Sequence, residues 1–163
     1  MNKFKQETYR TQHNIQSYDW WTPPEIFKDL NIKFDLDVAA PIGGVEWIPA
    51  TKYFTKKDDG LKQDWAGTVW MNPPYGKFTS AWLEKFVKHG DGIALVFART
   101  DTKWFQDHAV NADALLFLRG RLSFYNAGVK SKDTSGNGFL LIACGVKSVK
   151  ALKQSKLGWF VKL

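Results

Sequence analysis

The chain has 163 residues, 44% of them hydrophobic and 24% charged, which is enough for one domain with a sizeable core. No apolar run approaches the length of a membrane span, no amino-terminal signal pattern appears, and a single cysteine, Cys144, excludes an intrachain disulfide. The formal charge of +7 suits a polyanionic partner, while His13, His89 and His108, scattered and read as surface residues, form no metal-ligand cluster.

Residues 1–18 are polar, with Lys3, Lys5 and Arg10, and read as an amino-terminal arm. Residues 19–163 read as the folded domain. Thr22-Pro23-Pro24-Glu25 has the spacing of a capping box, with Thr22 as N-cap, Pro23 at the first helical position and Glu25 reaching back. A helix through Ile26, Phe27 and Leu30 is expected, its amino terminus a ready anion site. Ile32 to Val38 alternates apolar and polar and reads as a strand. It ends at Asp37 and the small residues Ala39 and Ala40, beside which a ligand can approach the backbone closely. Residues 41–52 read as loop, Tyr53-Phe54-Thr55 as a short extended piece, and Lys56 to Gly60 as a charged turn. The second strand of a nucleotide-binding sheet commonly ends at an acid that binds ribose hydroxyls. Asp58 or Asp59 fits that role, and an ordinary Asp-Gly turn fits equally.

Val69 to Met71 predicts a short central strand, stopped by Asn72-Pro73-Pro74-Tyr75. The prolines hold the backbone extended and cannot continue a ladder, so the motif stands rigidly at a strand's carboxyl end, where open α/β sheets bind ligands. Phe78, Trp82, Leu83, Phe86 and Val87 recur at helical spacing up to Gly90. Lys77, beside the motif, is a candidate phosphate contact, whereas Lys85 falls on the helix's solvated face. Ile93 to Ala98 is a fully apolar strand. Thr100, Asp101, Thr102 and Trp104 follow it at the same sheet edge as Asn72 and are candidates for the wall of a ligand pocket, with Asp101 alternatively a helix cap. Ala114 to Leu118 and Phe139 to Cys144 read as strands, the latter enclosing Cys144 as a buried, inert thiol. Between them Arg121, Phe124, Lys130 and Lys132 lie on a turn-rich segment suited to groove and phosphate contact, or to a solvated loop. Residues 146–157 are lysine-rich with a short helix, and Trp159-Phe160-Val161 reads as a closing edge strand.

The corner at Asn72 carries specific chemistry. The Asn72 amide oxygen and the Pro73 carbonyl accept hydrogen bonds, and Tyr75 offers a flat face. Two acceptors and an aromatic plate suit a ring-borne amine, whose lone pair is delocalised until fixed acceptors favour the geometry that frees it.

Asn-Pro-Pro-Tyr resembles the catalytic motif of S-adenosylmethionine-dependent amino-group methyltransferases. The ordered series Trp20-Trp21-Thr22-Pro23-Pro24-Glu25, Asp35 to Ala40, Tyr53-Phe54-Thr55, Asp59-Gly60-Leu61, Asp64-Trp65, Trp70 to Gly76, Arg99 to Phe105 and Gly120 to Phe124 resembles small phage-type Dam-like N6-adenine DNA methyltransferases from about residue 19 onward. The resemblance implies a Rossmann-like class I methyltransferase of α/β class, with a mostly parallel central sheet, helices on both faces and an antiparallel carboxyl-terminal edge. It implies S-adenosylmethionine as cofactor and S-adenosylhomocysteine as product. Trp21, Thr22 and Pro23 would face the cofactor's methionine carboxylate. Asp37, either a turn cap or an acceptor for the cofactor's amino group, and Ala39 would form its first motif, with Asp64 accepting from its adenine. Asn72, Pro73, Pro74 and Tyr75 would be catalytic, with Asn72 also at the cofactor. The implied partner is double-stranded DNA, with no membrane association, and the protein a monomer or homodimer in the cytoplasm of a bacterial host. RNA or a protein glutamine as substrate, or an idle nucleic-acid-binding protein of the same fold, are the alternatives.

Overall fold

The computed structural model describes residues 20–163; the polar arm expected at residues 1–18 lies outside the described residues. Chain order gives α1 (Pro24–Leu30), β1 (Phe34–Asp37), β2 (Ala50–Tyr53), β3 (Val69–Met71), α2 (Thr79–His89) and β4 (Gly92–Phe97). There follow α3 (Lys103–Asp107), a 3-10 turn (Ala109–Asn111), β5 (Ala114–Leu118), the two-residue strands β6 (Tyr125–Asn126) and β7 (Val129–Lys130), β8 (Phe139–Cys144), α4 (Val146–Gln154) and β9 (Gly158–Lys162).

Seven strands form one sheet in the order β2-β1-β3-β4-β8-β5-β9, and β6 pairs with β7 as a separate hairpin. The pairs β1–β2, β1–β3 and β3–β4 are parallel. The pairs β4–β8, β5–β8 and β5–β9 are antiparallel. The sheet is therefore mixed, and its antiparallel part is not confined to an edge. All six residues of β8 are buried, and a strand apolar on both faces and along both sides needs neighbours on either flank. It consequently inserts between β4 and β5 and leaves β9 at the edge. For the same reason β3, expected to be central, is third of seven, and the longer β4 takes the middle.

Two cores sandwich the sheet. Ile26, Phe27 and Leu30 of α1 and Ala151 and Leu152 of α4 pack with Phe34, Trp70, Ile93, Leu95 and Leu141 on one face. On the other, Trp82, Leu83 and Phe86 of α2 and Phe105 of α3 pack with Val69, Met71, Ala94 and Val96. The alternation Val69, Trp70, Met71 between these cores is the two-residue period of a pleated strand. Cys144 is 3% exposed, and burial pushes its thiol up to about 11, so it is a packing residue. His89 and His108 are half-buried rather than freely solvated: a His89 ring nitrogen lies 2.8 Å from the Gly67 carbonyl, and His108 Nε2 lies 3.0 Å from Ser80 Oγ.

The helix start differs from the expected capping box. The N-cap is Pro23, Pro24 opens the helix, and no side chain caps it. Thr22 is fully buried, and its Oγ1 instead accepts from Asn72 Nδ2 at 3.2 Å. Glu25 does not reach back but pairs with Lys130 at 3.1 Å. With seven residues, α1 is also too short to present a useful terminal dipole. The second strand occupies Ala50–Tyr53, slightly ahead of the expected Tyr53-Phe54-Thr55, although Phe54 continues the ladder by donating to the Asp37 carbonyl at 2.8 Å.

Candidate active site

The parallel register of β1, β3 and β4 brings Asp37, Asn72 and Phe97 to one sheet edge. The corner at Asn72 leaves β3 extended, and Gly76 ends it at φ +137°, a region that side-chain-bearing residues avoid. Thr79 Oγ1 accepts the Gly76 N–H at 3.1 Å and ties the corner to the start of α2.

Asn72 is a hub. Its Nδ2 donates to the Trp20 carbonyl and to Thr22 Oγ1, each at 3.2 Å. Its Oδ1 accepts from the Tyr75 hydroxyl at 2.9 Å. That hydroxyl also lies 3.1 Å from the Leu95 carbonyl, so its single proton is shared between two acceptors. Burial raises the Tyr75 phenol far above its ordinary range, and the hydroxyl stays a donor at every working pH. The amide is thereby held in one orientation, with one lone pair of Oδ1 left over.

Two sets of cavities meet here. Trp20, Tyr75, Phe97, Phe124 and Phe139 line an aromatic cavity of about 420 Å³, closed on its polar side by Ser131, Asp133, Ser135 and Asn137. Its volume is that of a small-molecule pocket. A second space, of about 10 Å³, is also lined by Trp20, together with Trp21, Thr22, Asp37, Ala39, Trp70 and Asn72. It shares Asp37 and Val45 with a cavity of about 270 Å³, and Trp21 and Pro41 with one of about 170 Å³. Together they make a cleft along the β1–β2 loop. Asp37 is 4% exposed, and the bond its Oδ1 accepts from Ala39 N at 3.1 Å does not offset its desolvation, so its carboxyl is pushed up to about 7. A buried carboxylate without a cation beside it favours a cationic ligand. Trp70 Nε1, also buried, has no hydrogen-bond partner among the described residues.

The segment at Trp20 and Trp21 owes its place to distant parts of the chain. Trp21 exchanges two backbone bonds with Tyr125, at 2.8 and 3.0 Å. Trp47 packs on Trp21 and Tyr125, with ring centroids 5.6 and 5.0 Å apart, and its Nε1 donates to the Thr22 carbonyl at 2.9 Å. The β6–β7 hairpin thus straps the two tryptophans over Asn72.

Of the residues expected at a cofactor, Trp21, Thr22, Asp37, Ala39 and Asn72 come together, with Pro23 buried next in sequence. Asp59 and Asp64 do not join them. Asp59 pairs with Lys62 at 2.8 Å. Asp64 is exposed and lines none of these cavities. Asp58 caps its own turn, accepting from Thr55 N and Oγ1 at 2.8 Å. Of the residues expected at DNA, Phe124 lines the aromatic cavity. Thr100 and Asp101 are exposed on the β4–α3 loop, Asp101 does not cap α3, and Trp104 packs into the core beside Phe105. None of these three walls the aromatic cavity, whose polar side comes from residues 131–137 instead. Lys77 is exposed with its ammonium 4.8 Å from the Phe78 ring, Arg121 and Lys132 are exposed, and Lys130 is paired with Glu25. Phe97 and Phe139 carry no sequence signal beyond their place in apolar strands, and Trp20, which stands in the ordered motif series, is not marked by it as a cavity wall.

Fold and corner define an α/β protein in which a cleft with a buried carboxylate and an aromatic cavity share Trp20 as a wall, with one fixed amide bonded to both Trp20 and Tyr75. A family model described as DNA N-6-adenine-methyltransferase (Dam) matches residues 10–154, and the chain belongs to that family. A DNA N-6-adenine-methyltransferase of Haemophilus phage HP1 (strain HP1c1) is 30% identical over 129 residues, which cover 75% of this chain and 72% of the relative. No solved structure gives a significant match. Among the described residues, no helix is long and apolar enough to cross a membrane.

Proposed function

We propose that the protein transfers a methyl group from S-adenosylmethionine to N6 of an adenine in double-stranded DNA, the base being turned out of the stack into the aromatic cavity. The sheet, its helices and the corner at a strand's carboxyl end support a Rossmann-like methyltransferase layout. The observation that carries the reading is the Asn72 hub, an amide that lines the Asp37 side and whose oxygen is bonded to Tyr75, a wall of the aromatic cavity.

The residues present fit the cofactor. Asp37 offers a buried carboxylate to a cationic molecule, and Trp21, Thr22 and Ala39 complete the cleft. When bound, S-adenosylmethionine supplies a methyl group activated by a sulfonium, and S-adenosylhomocysteine is the product. The protein's part is preorganisation. Asn72 Oδ1 accepts from the adenine amine with its remaining lone pair, and the Pro73 carbonyl takes the second N–H. Both bonds draw the nitrogen lone pair out of conjugation. Tyr75 donates to Asn72 throughout and keeps its amide from turning. No general base is required before attack, because the amine becomes acidic once alkylated. Trp20, Tyr75, Phe97 and Phe124 offer ring faces and edges to the base.

Duplex DNA incubated with labelled cofactor and digested to nucleosides is expected to yield N6-methyl-2′-deoxyadenosine by mass spectrometry. Label on cytosine, on RNA alone or on protein overturns the assignment, and binding of cofactor without any transfer marks an idle relative. Asn72→Ala is expected to lower turnover by at least about a hundredfold, the scale of one preorganised polar group. Cofactor affinity should stay within a few fold; loss of both together would show that Asn72 serves the cofactor rather than the amine.

A further inference from the structure

The polar wall of the aromatic cavity contains one side chain whose direction is set by its partner. Asn137 lines the cavity, and its Oδ1 accepts from Arg99 Nη2 at 3.3 Å. A guanidinium only donates, so the amide oxygen is the end that faces Arg99. Arg99 is itself placed, with its guanidinium carbon 4.9 Å from the centroid of the Phe97 ring, which packs on Tyr75 at 4.1 Å. The loop is pinned on both sides: Ser131 N donates to the Phe124 carbonyl at 2.7 Å, Ser135 N to the Leu122 carbonyl at 2.8 Å, and Ala98 N to the Gly138 carbonyl at 2.9 Å. The remaining end of the Asn137 side chain is an NH2 that can only donate.

The neighbours are less suited to that task. Ser131 Oγ accepts from Asp133 N and Ser135 Oγ from Asn137 N, each at 3.2 Å, and Thr134 brings a third hydroxyl, but a hydroxyl proton rotates freely. Asp133, when ionised, only accepts. Adenine turned with its amine toward Asn72 still carries N1, N3 and N7, all acceptors. We infer that Asn137, oriented by Arg99, donates through Nδ2 to one of these ring nitrogens and is a base-reading residue of this enzyme. The inference rests on the proposed adenine chemistry and adds the group that recognises the ring itself.

Deaza analogues test it, since 1-, 3- and 7-deazaadenine each lose one ring acceptor and keep the 6-amino group. In a duplex carrying a site that the wild-type protein methylates, one of the three is expected to lower kcat/KM by about tenfold, the scale of one donor left unpaired. Asn137→Asp keeps the size and the partnership with Arg99 but has no donor. It should lose a similar factor on adenine and nothing further on that same analogue. Asn137→Ala should behave likewise, and thermal melting verifies that both variants are folded. Equal wild-type rates on adenine and all three analogues overturn the inference, as does an undiminished loss on the analogue in the variants. Either result leaves N6-methyl-2′-deoxyadenosine formation intact, whereas no transfer to the adenine duplex overturns the proposed function and the inference together.

Discussion

Burial holds the Asp37 carboxyl at about 7, against an ordinary value of 3.8, because desolvation outweighs the bond from Ala39. Between those values the folded chain keeps a proton that the unfolded chain has lost. Stability contributed by this group is therefore full below about pH 4 and falls as pH rises toward 7, by at most on the order of 4 kcal/mol. Asp37→Asn retains an oxygen for Ala39 and removes the titration. Urea denaturation at pH 4.5 and 7.5 should show the wild type losing stability relative to the variant across that interval, and parallel curves would mean that Asp37 is not desolvated. Binding of a cation has the opposite sign, because it favours the ionised carboxylate. Wild-type affinity for S-adenosylmethionine, measured by calorimetry, should rise from pH 5.5 to 7.5, and that of Asp37→Asn should be weaker and flat. The sequence shows Asp37 at a strand end, but its weakened acidity comes from the Trp20–Thr22 segment, the β1–β2 loop and Trp70 closing around it, an enclosure that the strand's own residues do not encode.

The helix α2 illustrates what an element declares of itself and what it withholds. Its apolar spacing and the left-handed Gly90 at its end, φ +77°, were legible from residues within it. The role of Lys85 was not. Rather than facing solvent, its ammonium donates to the Gly60 carbonyl at 3.3 Å, to that of Leu61 at 2.7 Å and to that of Gln63, and lies 4.9 Å from the Trp65 ring. Burial accordingly lowers its pKa. These acceptors lie 22 to 25 residues away in the chain, beyond the reach of any helical period. The lysine clamps the segment between β2 and β3, where Gly60 lies against the Val38 carbonyl and no Cβ fits. Lys85→Met keeps the aliphatic stem and removes all three bonds. It should cost about 2 kcal/mol, the range of hydrogen bonds to a charged group. In urea this is a lower midpoint at unchanged slope, and an unaltered midpoint would return Lys85 to the solvated face. The hairpin strap was hidden in the same way: Trp20 and Trp21 stand out in the sequence, but the bridge to Tyr125 that seats them spans about a hundred residues.

Across the whole molecule the positive charge is unevenly placed. Residues 139–163 hold five lysines and no acid, which is five of the seven net charges. Because β8 runs antiparallel to β4, it ends at the sheet edge away from Asn72, and α4 then returns toward the edge that carries the corner. Lys147, Lys150 and Lys153 are exposed along α4, and Lys156 follows at its upper end. There Arg119 N donates to the Leu157 carbonyl at 2.9 Å, next to Arg121. Nine residues at helical rise cover about 14 Å, so the lysines climb the α1–α4 face toward the aromatic cavity's edge. The lysine run is visible in the sequence, but its direction is not, since that depends on the strand inserted between β4 and β5. Charges so arranged suit the phosphates of a duplex, whose neutralisation releases counterions. Replacing Lys147, Lys150 and Lys153 together by Gln should weaken duplex binding and reduce the slope of log affinity against log salt by about 2 to 3. Turnover at saturating DNA and cofactor affinity should be unchanged, because none of the three approaches the Asn72 corner. A fluorescence anisotropy titration from 50 to 200 mM salt separates the outcomes. An unchanged slope would confine DNA contact to the Arg121 and Lys132 side of the cavity and leave the α4 lysines a purely solvated face.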